Sequence, residues 1–77
     1  MNLPENKNFN QVLDHVAGVT LQTLSIEHSA DADGADHALD VVQDVNNIWT
    51  LHFKKKKGAW TYDYRSWRAS DFTYEPS

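Results

Sequence analysis

The first half of the chain begins with a helical spacing of apolar residues. Five of them recur at intervals of three and four positions and so share one face of a helix: Phe9, Val12, Leu13, Val16 and Ala17. Asn8 followed by Gln11 is a variant of the capping box, and Gly18 is the kind of residue that ends a helix. The pattern predicts a helix over residues 8 to 17.

Beyond Gly18 the apolar spacing changes from helical to alternating. Residues 19 to 28 are rich in β-branched side chains, although their apolar phase slips between Leu21 and Leu24. Such a slip is typical of a bulge or of a late strand start. The segment therefore predicts a first strand that begins near Thr23.

The pattern of the next segment predicts a loop followed by a second strand. Small, acidic and turn-forming residues fill positions 29 to 36, which predicts a loop between two strands. Residues 38 to 45 alternate apolar with acidic side chains, as a half-buried strand does. Asn46 and Asn47 tolerate positive φ and predict the next turn.

The strongest local signal is a hairpin in the second half of the chain. Six large apolar residues alternate with polar ones on either side of four lysines: Trp49, Leu51, Phe53, Trp60, Tyr62 and Tyr64. A four-residue loop at 55 to 58 puts all six on one face, in the cross-strand pairs Phe53 with Trp60, Leu51 with Tyr62 and Trp49 with Tyr64. By the same parity, Trp67 falls with Arg65 on the opposite, outer face.

Together these patterns predict an α+β fold in which one N-terminal helix packs on a four-stranded antiparallel β-meander. The prediction is a two-layer single domain over residues 1 to 77, with a flexible N-terminal segment at 1 to 7 and a C-terminal tail at 70 to 77. A chain of 77 residues without cysteine has little room for a second core or a deep cavity. Without an apolar run of about 20 residues or a signal sequence, we expect a cytoplasmic protein that does not span a membrane.

The sequence offers little catalytic chemistry. It has no cysteine, no glycine-rich phosphate loop and no nucleophile turn, so we expect no enzyme, no catalytic residues and no cofactor. The segment from Asp31 to Asp36 superficially resembles a calcium loop. It departs from the EF-hand because Gly34 comes too early and no glutamate closes the loop. We therefore expect no metal site.

Charge is distributed unevenly along the chain. The net charge is −4, but residues 1 to 47 contain eight acids and one lysine, whereas residues 48 to 77 contain six bases and three acids. A spaced acidic face can occupy the basic surface of a partner, and its candidate residues are Glu27, Asp31, Asp33, Asp36, Asp40 and Asp44. The alternative is a solvated loop and strand face. Trp67 beside Arg68 is a second candidate protein contact.

The basic half supports a different hypothesis. Lysines and arginines beside exposed rings can bind a single-stranded nucleic acid, and the candidates are Lys54, Lys55, Lys56, Lys57, Arg65 and Arg68. The alternative is a solvated lysine-rich turn that protects a sheet edge from aggregation. A third possibility is a homodimer formed through an edge strand, for which the last strand is the better candidate.

We expect a small non-enzymatic binding protein that acts through protein–protein contacts, as an adaptor or as an inhibitor of a larger basic partner. Its size, acidity and lack of motifs resemble those of accessory proteins carried by phages and mobile elements.

Overall fold

The computed structural model describes residues 8–69 as one helix followed by three strands. The elements are α1 (Phe9–Glu27), β1 (Asp36–Asp44), β2 (Asn47–Lys56) and β3 (Ala59–Arg68). The strands form one antiparallel sheet in the order β1-β2-β3. The α+β class and the antiparallel sheet are confirmed, but the predicted fourth strand is not present in this part of the chain. The predictions for 1 to 7 and 70 to 77 lie outside the described residues.

The helix begins where the sequence predicts, but it ends ten residues beyond the predicted end. The Asn8 side chain accepts a hydrogen bond from the backbone N–H of Asn10 at 2.8 Å, which caps the helix at its N-terminus. The predicted end at Gly18 is wrong, because α1 passes through it and reaches Glu27. None of the residues 8–69 belongs to a helix long and apolar enough to cross a membrane.

The predicted first strand is therefore the second half of α1. The slip that resembled a bulge is the helical period itself, since Leu24 lies seven residues after Ala17 and both are buried. The β-branched Thr20 and Thr23 fit because their hydroxyls donate to the carbonyls four residues earlier, at 2.8 and 3.2 Å. Burial of one helical face outweighs the strand preference of these side chains.

Gly18 lies inside the helix with open space around it. A Cβ built there meets nothing within 4 Å, so Gly18→Ala should raise the free energy of unfolding by about 0.5–1 kcal/mol through its effect on backbone entropy. Gly34 is the matched control because a Cβ there also has space, but its φ of +93° strains any other side chain. Chemical denaturation should show Gly34→Ala destabilised. Equal effects at both glycines would contradict the helical assignment.

The core lies between α1 and one face of the sheet, called the inner face from here on. Leu13, Ala17 and Leu24 of the helix pack there against Leu51, Phe53 and Trp60, and α1 lies over β3 and β2. The opposite face, the outer face, is covered by no other element of residues 8–69. This arrangement of one covered and one open face is common in antiparallel sheets.

The register of the β2–β3 hairpin differs from the prediction. The turn has two residues, Lys57 and Gly58, whose φ angles of 51° and 80° fit a type I′ turn. The pairs along the hairpin are Lys55 with Trp60, Phe53 with Tyr62, Leu51 with Arg65, and Trp49 with Trp67. The register shifts between His52 and Phe53, which leaves Asp63 as an extra residue in β3.

This bulge reverses the parity of the rest of β3. Up to Tyr62 the strand keeps its predicted inner residues, but beyond Asp63 the inner positions are Arg65 and Trp67. Tyr64, which was expected in the core, lies on the outer face, and the prediction that Trp67 lies on the outer face is wrong. A single inserted residue thus exchanges the two faces.

The turn between β1 and β2 also lies one residue earlier than predicted. Strand β1 covers most of the predicted segment, and Val45 and Asn46 form the turn. A carboxylate oxygen of Asp44 accepts from the backbone N–H of Asn46 and from the side-chain amide of Asn47, both at 2.8 Å. A side-chain cap, rather than positive φ at asparagine, therefore closes this turn.

Candidate functional site

Folding brings the acidic and basic halves of the sequence together. Three bases of the second half form ion pairs with acids of the first: Lys54 with Asp36 at 3.3 Å, Arg65 with Asp14 at 3.4 Å, and Arg68 with Asp40 at 2.8 Å. The Lys54 and Arg68 pairs are solvent-accessible and contribute little stability, whereas the Arg65 Nη1 that faces Asp14 is buried and makes no hydrogen bond within residues 8–69. These pairs change the surface potential, because they place opposite charges side by side. The charge asymmetry of the sequence therefore does not become two separate charged surfaces.

The candidate acidic residues are spread along the molecule rather than gathered in one patch. Three of them hold turns and loops: Asp31 lies 3.3 Å from His28, Asp33 accepts from the Gly58 N–H at 2.9 Å, and Asp44 caps its turn. Glu27 ends α1. Asp36 and Asp40 are the two that lie on the outer face of β1, as their contacts with outer-face side chains show.

Asp40 is the most tightly held carboxylate of the outer face. It accepts from the Thr50 hydroxyl at 2.7 Å and from the Arg68 guanidinium at 2.8 Å. The Thr50 hydrogen bond lowers the pKa of Asp40 below its usual value, and Arg68 acts in the same direction. Hydrogen bonds from Asn46 and Asn47 likewise lower the pKa of Asp44. Both carboxylates are therefore ionised across the neutral pH range.

The four lysines occupy three different environments. Lys54 and Lys56 lie on the outer face and reach Asp36 and Asp63, the latter at 4.0 Å, while Lys57 is exposed in the hairpin turn. Lys55 was expected in the loop but belongs to β2, faces inward and is only 3% exposed. The lysines therefore do not form one continuous basic surface.

Lys55 binds the end of the helix. Its ammonium donates to the carbonyl of Ser29 at 2.6 Å and lies 3.4 Å from that of His28, which also accepts from the indole N–H of Trp60 at 2.9 Å. A cation at a helix C-terminus is favourable because it satisfies free carbonyls and opposes the negative end of the helix dipole. To contact a phosphate, Lys55 has to give up these bonds.

Trp67 and Arg68 are neighbours in the sequence, but their side chains lie on opposite faces of the sheet. Arg68 lies on the outer face against Asp40, and Trp67 points to the inner side, where its indole N–H donates to the Asn47 side chain at 2.8 Å. Trp67 remains 53% exposed. The structure does not bring these two candidate side chains together.

The outer face carries an aromatic pair, of which the sequence pattern placed His52 correctly and Tyr64 wrongly. The rings of His52 and Tyr64 stack with centroids 4.1 Å apart and planes inclined by 12°. The His52 Nε2 is also 3.0 Å from the Ser66 hydroxyl, which fixes the imidazole. Tyr64 is nevertheless 54% exposed, so one aromatic ring is both oriented by its neighbours and accessible. Tyr64 reaches this face through the extra residue before it, which has no distinct sequence signal.

The stack forms part of a shallow depression with a volume of about 590 Å³. Ala38, His52 and Tyr64 line it together with the charged side chains of Asp36, Lys54 and Asp63. Further along the same face, Val42 is exposed beside Ile48, its partner on β2. The outer face thus combines an oriented ring, exposed apolar groups and charges of both signs.

The histidines near the α1–β1 connection do not form a recognisable metal centre. His28 and His37 have ring centroids 6.4 Å apart, and Asp31 approaches His28. Across residues 8–69, however, no three side chains of the metal-binding types converge on one point. Instead, the His28 ring lies against the Trp60 ring, and the His37 ring lies against the Phe53 ring.

No protein-family model matches the chain, and neither a curated protein nor a solved structure is significantly similar to it.

Proposed function

We propose that the protein is a non-enzymatic binding module that contacts a partner protein through the outer face of its sheet, as an adaptor or an inhibitor. The observation that best supports this proposal is the half-exposed Tyr64 ring stacked on His52 on the open outer face of the sheet. Tyrosine is enriched among the residues that dominate protein interfaces. A ring already fixed by stacking also loses little side-chain entropy on binding.

The surroundings of Tyr64 favour a protein over a polyanion. Lys54, Lys56 and Arg68 lie on this face, but each is within 4.0 Å of a carboxylate. A nucleic acid gains affinity by neutralising its phosphates with available cations, whereas here acids and bases alternate. Alternating charges beside an apolar centre instead resemble the polar rim of a protein interface. The nucleic-acid hypothesis is therefore the less well supported alternative.

Tyr64→Ala tests this proposal against Trp67→Ala. Both residues are half-exposed aromatics of β3, but they lie on opposite faces of the sheet. With a partner captured by the unmodified protein, Tyr64→Ala should raise the Kd by about 30-fold, the effect of an interface hot spot. Trp67→Ala should change the Kd by less than about threefold.

Two results would overturn the proposal. One is a Kd that responds to Trp67→Ala and not to Tyr64→Ala. The other is a captured ligand that nuclease removes and whose binding falls steeply with salt, because that is the behaviour of a phosphate-binding surface.

A further inference from the structure

Strand β1 is an edge of the sheet, and its free side is open within residues 8–69. The backbone N–H of Lys55 donates to the Ala35 carbonyl at 2.9 Å, so alternate residues of β1 from Ala35 onward turn their backbone groups toward β2. The peptide groups of Ala38 and Asp40 then point away from the sheet. The ladder from Asp36 to Val42 contains no register shift, which leaves a regular template for another strand.

The two sides of this edge differ in chemistry. On the inner side Leu39 and Val41 are only half-buried, because α1 lies over β2 and β3. On the outer side Asp36 and Asp40 stand four residues apart. Strand β1 as a whole holds three aspartates and no lysine or arginine. A strand placed alongside it therefore meets Leu39 and Val41 on one face and, on the other, Asp36 and Asp40 alternating with Ala38 and Val42.

We infer that β1 accepts an extended segment of the partner protein as a fourth strand, and that this segment alternates basic with apolar residues. Backbone hydrogen bonds to the β1 edge supply affinity, and alternate side chains supply specificity. Basic side chains join Lys54 and Arg68 around Asp36 and Asp40 on the outer face, because a carboxylate has about four acceptor sites, while apolar ones cover Leu39 and Val41. This inference rests on the proposed function, since it identifies how a protein partner engages the same side of the sheet.

Charge disfavours one register for a second copy of this chain as the occupant. In a twofold antiparallel pairing of β1 centred on Asp40, that residue lies opposite its own copy and Asp36 lies opposite Asp44, and like charges directly opposite each other destabilise a sheet. A pairing centred on Leu39 avoids this contact, so a concentration-dependent dimer in sedimentation would overturn the inference. The other edge, β3, is interrupted by the bulge at Asp63, so it offers a less regular template.

A synthetic peptide tests the inference directly. The probe is a peptide of about eight residues in which lysine alternates with valine, a length that matches the regular part of β1. Its controls replace lysine by glutamate, or keep the composition but separate the lysines from the valines. We expect the alternating lysine peptide to bind about tenfold more tightly than either control at low salt. Equal binding of the separated-block peptide would overturn strand addition.

A backbone variant provides the matched test in the protein. Ala38→Pro removes an N–H that points away from the sheet, and Ala38→Thr changes the side chain but keeps that N–H. We expect the proline variant to weaken the peptide's binding by about tenfold and the threonine variant by less than about twofold. Similar affinities of the two variants would contradict the inference.

Hydrogen exchange keeps the inference testable even if Ala38→Pro fails to fold. In the unmodified protein, the amide protons of Ala38 and Asp40 should exchange about tenfold more slowly when the peptide is bound. Unchanged exchange at both amides overturns strand addition. A natural partner that is sensitive to Tyr64→Ala but not to Ala38→Pro likewise removes the strand-addition step and leaves the outer-face proposal standing.

Discussion

Phe53→Ala is expected to leave the chain largely unfolded. The Phe53 ring is buried between α1 and the sheet and packs against Tyr62, with centroids 5.5 Å apart. Truncation of a buried phenylalanine lowers the free energy of unfolding by about 3–5 kcal/mol. A domain of this size without disulfides has only a few kcal/mol in total. Circular dichroism and amide chemical-shift dispersion should both report the loss of structure.

The control for Phe53→Ala is Tyr64→Ala, which removes another ring from the same hairpin but on the outer face. We expect its effect on the free energy of unfolding to stay below about 1 kcal/mol, since half of that ring is already in water. A Phe53→Ala protein that remains folded with a loss under about 1 kcal/mol would contradict the packing of α1 on β2.

Lys55→Met should destabilise the protein by about 2 kcal/mol. Methionine keeps most of the length and the apolar stem, so the change isolates the ammonium group and its bonds to the Ser29 and His28 carbonyls. Loss of a charged donor from acceptors at a helix end has an effect of this order. The measurement is the free energy of unfolding from chemical denaturation.

Lys57→Met is the matched control, two residues away in the exposed turn. It should change the free energy of unfolding by no more than about 0.5 kcal/mol, as most surface substitutions do. If the two lysine variants were equally stable, the cap on the helix by Lys55 would be disproved. Substituting the buried lysine is thus expected to change the free energy of unfolding much more than substituting the exposed one.

The sequence predicts the fold class well and the element boundaries unevenly. Asn8 as the helix start and residues 38 to 45 as a strand follow from local rules that the structure confirms closely. The helix end does not, because Gly18 and the β-branched residues after it favour a stop and a strand locally. Only the inner face of the sheet, which buries Leu24 on the same side of α1 as Leu13, decides for the helix.

The hairpin shows why the candidate site could not be located from the pattern alone. The parity of Trp49, Leu51 and Phe53 already assigns the next inner position to Lys55, but its charge argues for a loop. A lysine at positive φ in the turn and one extra residue in β3 have no distinct sequence signal. Together they move Tyr64 from the expected core to the outer face, where the functional proposal now rests.

The charge asymmetry of the sequence has a different effect in the folded protein from the one that segment charges suggest. In sequence it divides the chain into an acidic and a basic half, which points to two competing binding surfaces. In space Asp36, Asp40 and Asp14 meet bases of the other half, so much of the asymmetry is neutralised locally on the surface of the folded chain. Long-range pairing of this kind cannot be inferred from segment charges.

The bonds between the hairpin and the α1–β1 connection also bear on how the protein opens. Lys55, Trp60 and Gly58 of the hairpin end bind His28, Ser29 and Asp33 across sequence separations of 25 to 32 residues. The connection cannot detach, nor the hairpin tip fray, without breaking bonds that both share. Segments that share such bonds open as one cooperative unit. An exposed, acidic connection with the composition of a loose linker thereby belongs to the same cooperative unit as the hairpin end.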